Sequence, residues 1–172
     1  MLAGASPARA ATPPLPGLCA GGALVGLAFG QMQSATLEFL AECAAGLRLT
    51  PWRMIFAEGL CEMPEQDGIV SDADDPLLRV SACTGAPSCQ AAHSETRALA
   101  TTLAPHMPAQ AHLHISGCAK GCAHPGAAAV TLVANANGFD LIRDGSTRDA
   151  PARRGLTRAH ILADPRALLG AD

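Results

Sequence analysis

Apolar residues along this chain come in short blocks punctuated by Gly, Pro and Asp, and the period of the pattern changes from block to block. Gly22 to Phe29 is a nearly continuous apolar run closed by Gly30, which predicts a short buried strand. Ser34 stands where it can cap a helix running to about Ala45, with Leu37, Leu40 and Ala44 on one face and Gly46 as the stop. Leu47 to Thr50 alternates, Pro51 turns the chain, and Met54 to Ala57 resumes as a strand. This strand-helix-strand-strand unit is too small to bury a sheet face alone.

A loop rich in Pro, Asp and Gly spans Glu62 to Pro76 and predicts a boundary. Beyond it, Leu77 to Ser81 leads into a cysteine pair, and Ser88 to about Leu103 reads as a helix, with Ser94, Thr96 and Thr101 its poorest residues. His112 to Ser116 alternates as a strand with both histidines on one face. Ala128 to Ala134 and Phe139 to Arg143 form a hairpin around Asn135 to Gly138, and Thr157 to Leu162 is a short helix in the C-terminal tail. The fold class is therefore α+β. Its parts are an Ala/Pro tail (1–17, expected to be disordered), a first unit (18–60), a linker (61–76), a second domain (77–150) and a tail (151–172).

With 49% hydrophobic residues the chain has material for a core. One Trp, no Tyr and a net charge of -3 leave neither stacking surface nor general attraction for a nucleic acid partner. The N-terminus lacks a basic region followed by an apolar one, and prolines interrupt the uncharged stretch from Ala10 to Leu37, so neither a secretory signal nor a membrane span is expected. A cytoplasmic, reducing location follows. There, clustered cysteines more often hold metal than pair with one another.

Four of the seven cysteines form two pairs, Cys83 and Cys89 as C-x5-C and Cys118 and Cys122 as C-x3-C. Helix and strand between them would return the second pair to the first. Gly85, Gly117 and Gly121 allow close backbone approach, Cys89 is expected in the first turn of a helix, and Lys120 lies between two ligands. Four thiolates with such support suit a 4Fe-4S cluster. Structural zinc, which favours x2 or x4 knuckles, and inert buried thiols are the alternatives. Cys19, Cys43 and Cys61 lack paired spacing and read as buried or incidental thiols.

C-x5-C followed at a distance by Gly-Cys-x3-Cys resembles the cluster signature of the sulfite and nitrite reductases, which couple a 4Fe-4S cluster to sirohaem. Within that superfamily, Ile115 to Pro125 (ISGCAKGCAHP), Val80 to Cys89 (VSACTGAPSC) and Leu47 to Arg53 (LRLTPWR) resemble most closely the precorrin-3B synthases of aerobic cobalamin biosynthesis. The resemblance runs from about Gly21 to Gly145. It implies that the first unit is a ferredoxin-like half-domain and the second an α+β domain binding cluster and tetrapyrrole. It also implies that the chain corresponds to the C-terminal half, with an N-terminal half or a second chain as partner.

The implied activity is monooxygenation of precorrin-3A, with lactone formation, driven by reducing equivalents from a separate electron donor. Gly21 to Gly26 does not follow a strand, so no dinucleotide site is expected. Cys83, Cys89, Cys118 and Cys122 are the implied cluster ligands. Arg48, Thr50, Arg53 and Lys120 are candidates for binding the macrocycle's carboxylates, although solvated surface charge is the usual fate of such residues. His124 could donate a proton to the macrocycle or bind a mononuclear non-haem iron; a histidine hydrogen-bonded in a turn explains it equally well. His112 and His114 could bind metal as an i, i+2 pair or line a half-exposed strand face. The alternatives to the leading reading are a portion of a sirohaem-dependent sulfite or nitrite reductase, and a non-catalytic 4Fe-4S electron-transfer fragment.

Overall fold

A computed structural model describes residues 12–170, so most of the expected Ala/Pro tail lies outside the described residues. The first unit contains strands β1 (Gly17–Cys19) and β2 (Gly22–Leu27), helix α1 (Ser34–Cys43), and strands β3 (Gly46–Leu49), β4 (Met54–Glu58) and β5 (Ile69–Val70). Its antiparallel sheet has the order β1-β2-β4-β3, and β5 also pairs with β2. The strand-helix-strand-strand unit is therefore present, with two additions. Gly17–Cys19 begins the sheet at the border of the expected tail, and Ile69–Val70 returns from the expected linker to extend β2's edge at Gly26 and Leu27.

Helix α1 begins at its anticipated cap, one residue earlier than expected. Gln33 holds the cap position without a side-chain hydrogen bond, and Ser34 is the first helical residue. The buried face is Thr36 and Leu40 rather than Leu37, which is 44% exposed. Thr36 can be buried because its hydroxyl donates to the Asp67 carbonyl at 3.2 Å, tying the helix to the β4–β5 loop. Leu40 closes a small core of Ala23, Val25, Ile55 and Ala57.

The second unit is a mixed five-stranded sheet of order β10-β9-β8-β7-β6. Its strands are β6 (Val80–Ala82), β7 (Leu113–Ser116), β8 (Ala128–Asn135), β9 (Gly138–Gly145) and β10 (Arg153–Leu156), with helices α2 (Arg97–Leu103), α3 (Arg158–Ala163) and α4 (Pro165–Leu169). The first three strands are parallel, and the β8–β9 hairpin turns at Asn135 and Gly138. The C-terminal segment is no tail: Leu156, Ile161, Leu168 and Leu169 close a large core with Leu99, Leu103, Leu113, Ile115, Val130 and Leu132. Thr157 caps α3 by accepting from the His160 amide at 3.1 Å.

Two parallel connections position the site. Between β6 and β7 the chain passes through α2, which packs on the core face. Between β7 and β8 the crossover is a loop with no helix. Leu113 and Ile115 occupy the core face, so His112 and His114 face the other way, where the loop returns and lays His124 against them.

Candidate cluster and macrocycle site

Both cysteine pairs leave the carboxyl ends of neighbouring parallel strands: Cys83 follows β6, and Gly117 and Cys118 follow β7. Side-by-side pairing of β6 and β7 is therefore what joins two distant stretches of sequence. Cys83, Cys89, Cys118 and Cys122 all line one cavity of about 380 Å³. The Gly117 amide donates to Cys83 Sγ at 3.1 Å, and the His93 amide donates to the Gly117 carbonyl at 2.8 Å, so the two loops are stitched together at the ligands.

Helix α2 is shorter than expected, and Cys89 lies in a turn before it. Residues 88–96 spend their backbone hydrogen bonds elsewhere: Cys89 N–H donates to Gly85 O at 2.8 Å, and Ala86 N–H donates to Ser94 O at 3.0 Å. Thr96, a buried residue, turns its hydroxyl to the Cys83 carbonyl at 2.6 Å instead of capping the helix. The three glycines serve loop packing, and Gly117 also brings its amide to the sulfur of Cys83. An added Cβ would meet Thr96 Oγ1 at Gly85, Ala92 Cβ at Gly117 and Thr147 Oγ1 at Gly121, each at 2.7 Å.

Among the described residues, no three His, Cys, Asp or Glu side chains converge as a single metal ion would require. The four thiols line a shared space, and four thiolates are a donor set that an iron-sulfur cluster uses. These four residues fit such a cluster.

The candidate cations separate. Arg53 and Lys120 line the cysteine cavity, whereas Arg48 is ion-paired with Glu58 across β3 and β4, its side chain 73% exposed. Thr50 donates from its hydroxyl to Met54 O at 2.8 Å and shapes the turn, outside the cavity lining. Arg53 reaches the cavity from the first sheet on a left-handed backbone (φ 58°), and Phe29, which also lines it, shares that conformation (φ 56°). Non-glycine residues pay for such conformations, and they cluster at functional sites. Gly30 makes room for this arrangement, since a Cβ there would stand 3.0 Å from Arg53 Cγ. Phe29 and Arg53 also form the wall of a second, mainly apolar cavity of about 300 Å³ that contains Trp52.

Sequence reasoning missed Arg97, which lines the cysteine cavity from the first position of α2. Nothing local distinguishes it from a surface arginine. His124 is placed outside the cavity lining. Its ring lies 4.7 Å from His112 and 5.7 Å from His114, and its Nε2 donates to Ala127 O at 3.1 Å. His112 Nε2 bonds Ser81 Oγ at 3.0 Å, while neither ring nitrogen of the fully buried His114 has a partner. Burial, then the neighbouring His124, pushes both His112 and His114 down from 6.5 to about 4; Arg53 adds to the effect on His112, and His112 to that on His114. Cys19, Cys43 and Cys61 are exposed rather than buried.

No helix among the described residues is long and apolar enough to cross a membrane. No family model matches the chain. Among solved structures, the NirA protein of Mycobacterium tuberculosis aligns with a TM-score of 0.48 at 18% identity, over 76% of this chain and 30% of that one. A curated relative, "Precorrin-3B synthase" of Sinorhizobium sp, is 31% identical in an alignment of 145 positions that covers 74% of this chain. The chain spans about a third (32%) of that protein's length. Over its matched residues the chain is similar to that precorrin-3B synthase.

Proposed function

We propose that the chain is the cluster-bearing, C-terminal portion of a precorrin-3B synthase, an oxidoreductase that monooxygenates precorrin-3A and prepares the macrocycle for ring contraction. The observation that carries this reading is the convergence of all four motif cysteines on one cavity that two arginines and a lysine also line. Cys83, Cys89, Cys118 and Cys122 would hold a 4Fe-4S cluster, which when bound supplies one-electron transfer between an external donor and the macrocycle. Arg53 and Lys120 offer hydrogen bonds and charge to carboxylates on the macrocycle rim. Phe29 presents an apolar surface beside them.

The electron donor is a separate protein, and the rest of the catalytic surface comes from an N-terminal half or a second chain. A sirohaem-dependent sulfite or nitrite reductase portion is the second reading. It is favoured by one observation: Cys122 is the most exposed of the four thiols and could bridge to a macrocycle-bound metal.

Anaerobic purification with iron and sulfide analysis and an optical spectrum tests both, using wild type and Cys118→Ser. About four irons and four sulfides, with a broad visible band lost in the variant and no haem bands, is the expected result. Haem bands in the native protein would favour the reductase reading. Zinc, or no metal under strict anaerobiosis, would remove the basis of the proposal.

A further inference from the structure

We propose that Arg97 is the charge-compensating residue of the cysteine cavity, positioned to stabilise added negative charge there and so to raise the reduction potential of the cluster. The inference rests on the cluster reading above and adds to it a residue that the motifs do not contain.

The cavity lining includes Arg53, Arg97 and Lys120 but no Asp or Glu. Its cations therefore face thiols and whatever the thiols hold. Arg97 differs from the other two in having a buried Nε without a hydrogen-bond partner, and among the described residues it makes no ion pair. Leaving a guanidinium N–H unsatisfied is costly. A cation at the first position of a helix is also on the electrostatically wrong end. Arg79 shares the unpartnered Nε outside the cavity, so what singles out Arg97 is an unpaired charge in the lining of a cavity without acidic residues, where an anion would offset it.

The placement is held firmly. Thr96, adjacent in sequence and 1% exposed, is bonded to the Cys83 carbonyl, so the start of α2 is fixed to the first ligand. Lys120 is exposed, where solvent and salt weaken its field, while Arg97 is only partly exposed. Reduction adds one negative charge to the cluster. A poorly screened guanidinium favours that state, and its removal should make the cluster harder to reduce.

The test is a redox titration of the cluster-loaded full chain, followed optically and by EPR, with iron and sulfide measured on each sample. Arg79→Gln is the control, because Arg79 also has a buried, unpartnered Nε but does not line the cavity. Arg97→Gln should retain wild-type iron and sulfide while its reduction equilibrium falls at least ~3-fold, a shift to lower potential. Arg97→Lys should recover most of that shift, and Arg79→Gln should titrate as wild type. A fully loaded Arg97→Gln protein with the wild-type potential, or one shifted no further than Arg79→Gln, overturns the inference and leaves the cluster reading intact. If Arg97→Gln fails to assemble, Arg97→Lys decides: loading at the wild-type potential supports a charge role, and failure to load overturns it. A wild-type protein that binds no iron and sulfide would take down both readings.

Discussion

The amide of Gly117 donates to the sulfur of Cys83 at 3.1 Å, so the loop carrying one cysteine pair is bonded directly to a cysteine of the other. The contact needs a residue without a side chain, because a Cβ on Gly117 would stand 2.7 Å from the Cβ of Ala92. Gly117→Ala is expected to separate the loops and cost about 1–3 kcal/mol. Iron and sulfide content of anaerobically purified protein should fall well below wild type. Full loading with unchanged stability would show that the loops are not joined in this way.

Thr96→Val should weaken the same region from beneath. It removes the hydroxyl that donates to the Cys83 carbonyl at 2.6 Å from a buried position, a loss of about 1–2 kcal/mol. Thr96→Ser keeps the donor and should recover most of the loss. Urea denaturation of the three reduced proteins measures the difference.

Acid should destabilise the fold through two histidines. His112 and His114 are held near 4 by burial and by His124, while in the unfolded chain they titrate near 6.5. The unfolded state therefore binds more protons between these values, so stability is full above pH 6.5 and declines as pH falls toward 4. Urea midpoints between pH 7 and 5, above the main carboxylate range, should drop in wild type and flatten in His112→Gln. A flat wild-type profile would contradict the packing of the three rings.

Arg53 and Arg48 should behave differently despite sharing one motif. Uroporphyrin, a polycarboxylate tetrapyrrole, can be titrated against the emission of Trp52, the only tryptophan in the chain. Arg53→Gln is expected to weaken binding by ~10-fold, the loss of one charge-assisted contact. Arg48→Gln should change affinity little, and stability by no more than about 1 kcal/mol, since its pair with Glu58 is on the surface. Equal effects from the two substitutions would remove the distinction the cavity draws between them.

Much of the first unit was legible because Gly30, Gly46 and Pro51 punctuate it and its strands alternate. The strands that escaped notice, β1, β5, β6 and β10, have two to four residues and owe their existence to pairing with a neighbour rather than to any period of their own. The helix expected from Ser88 failed over its first half because Ser88, Cys89, His93, Ser94 and Thr96 favour helix only weakly, and the hydrogen bonds of residues 86–96 to each other and to Gly117 outweighed that preference. The cysteine spacing pointed to the residues that line one cavity, but spacing could not reveal Arg97. A cation's role is set by what it faces in space. Likewise, the alternation of His112 and His114 foretold a shared face but not that His124 would cover it.

The cysteine pairs extend from the ends of β6 and β7, strands that meet only after the chain between them has folded back through α2. A nascent or partly unfolded chain consequently presents its thiols two at a time. A full ligand set exists only on molecules whose parallel pairing is complete. On the proposed cluster reading, loading would therefore report closure of the sheet, and chains that fail to close it would keep unprotected thiols open to oxidation.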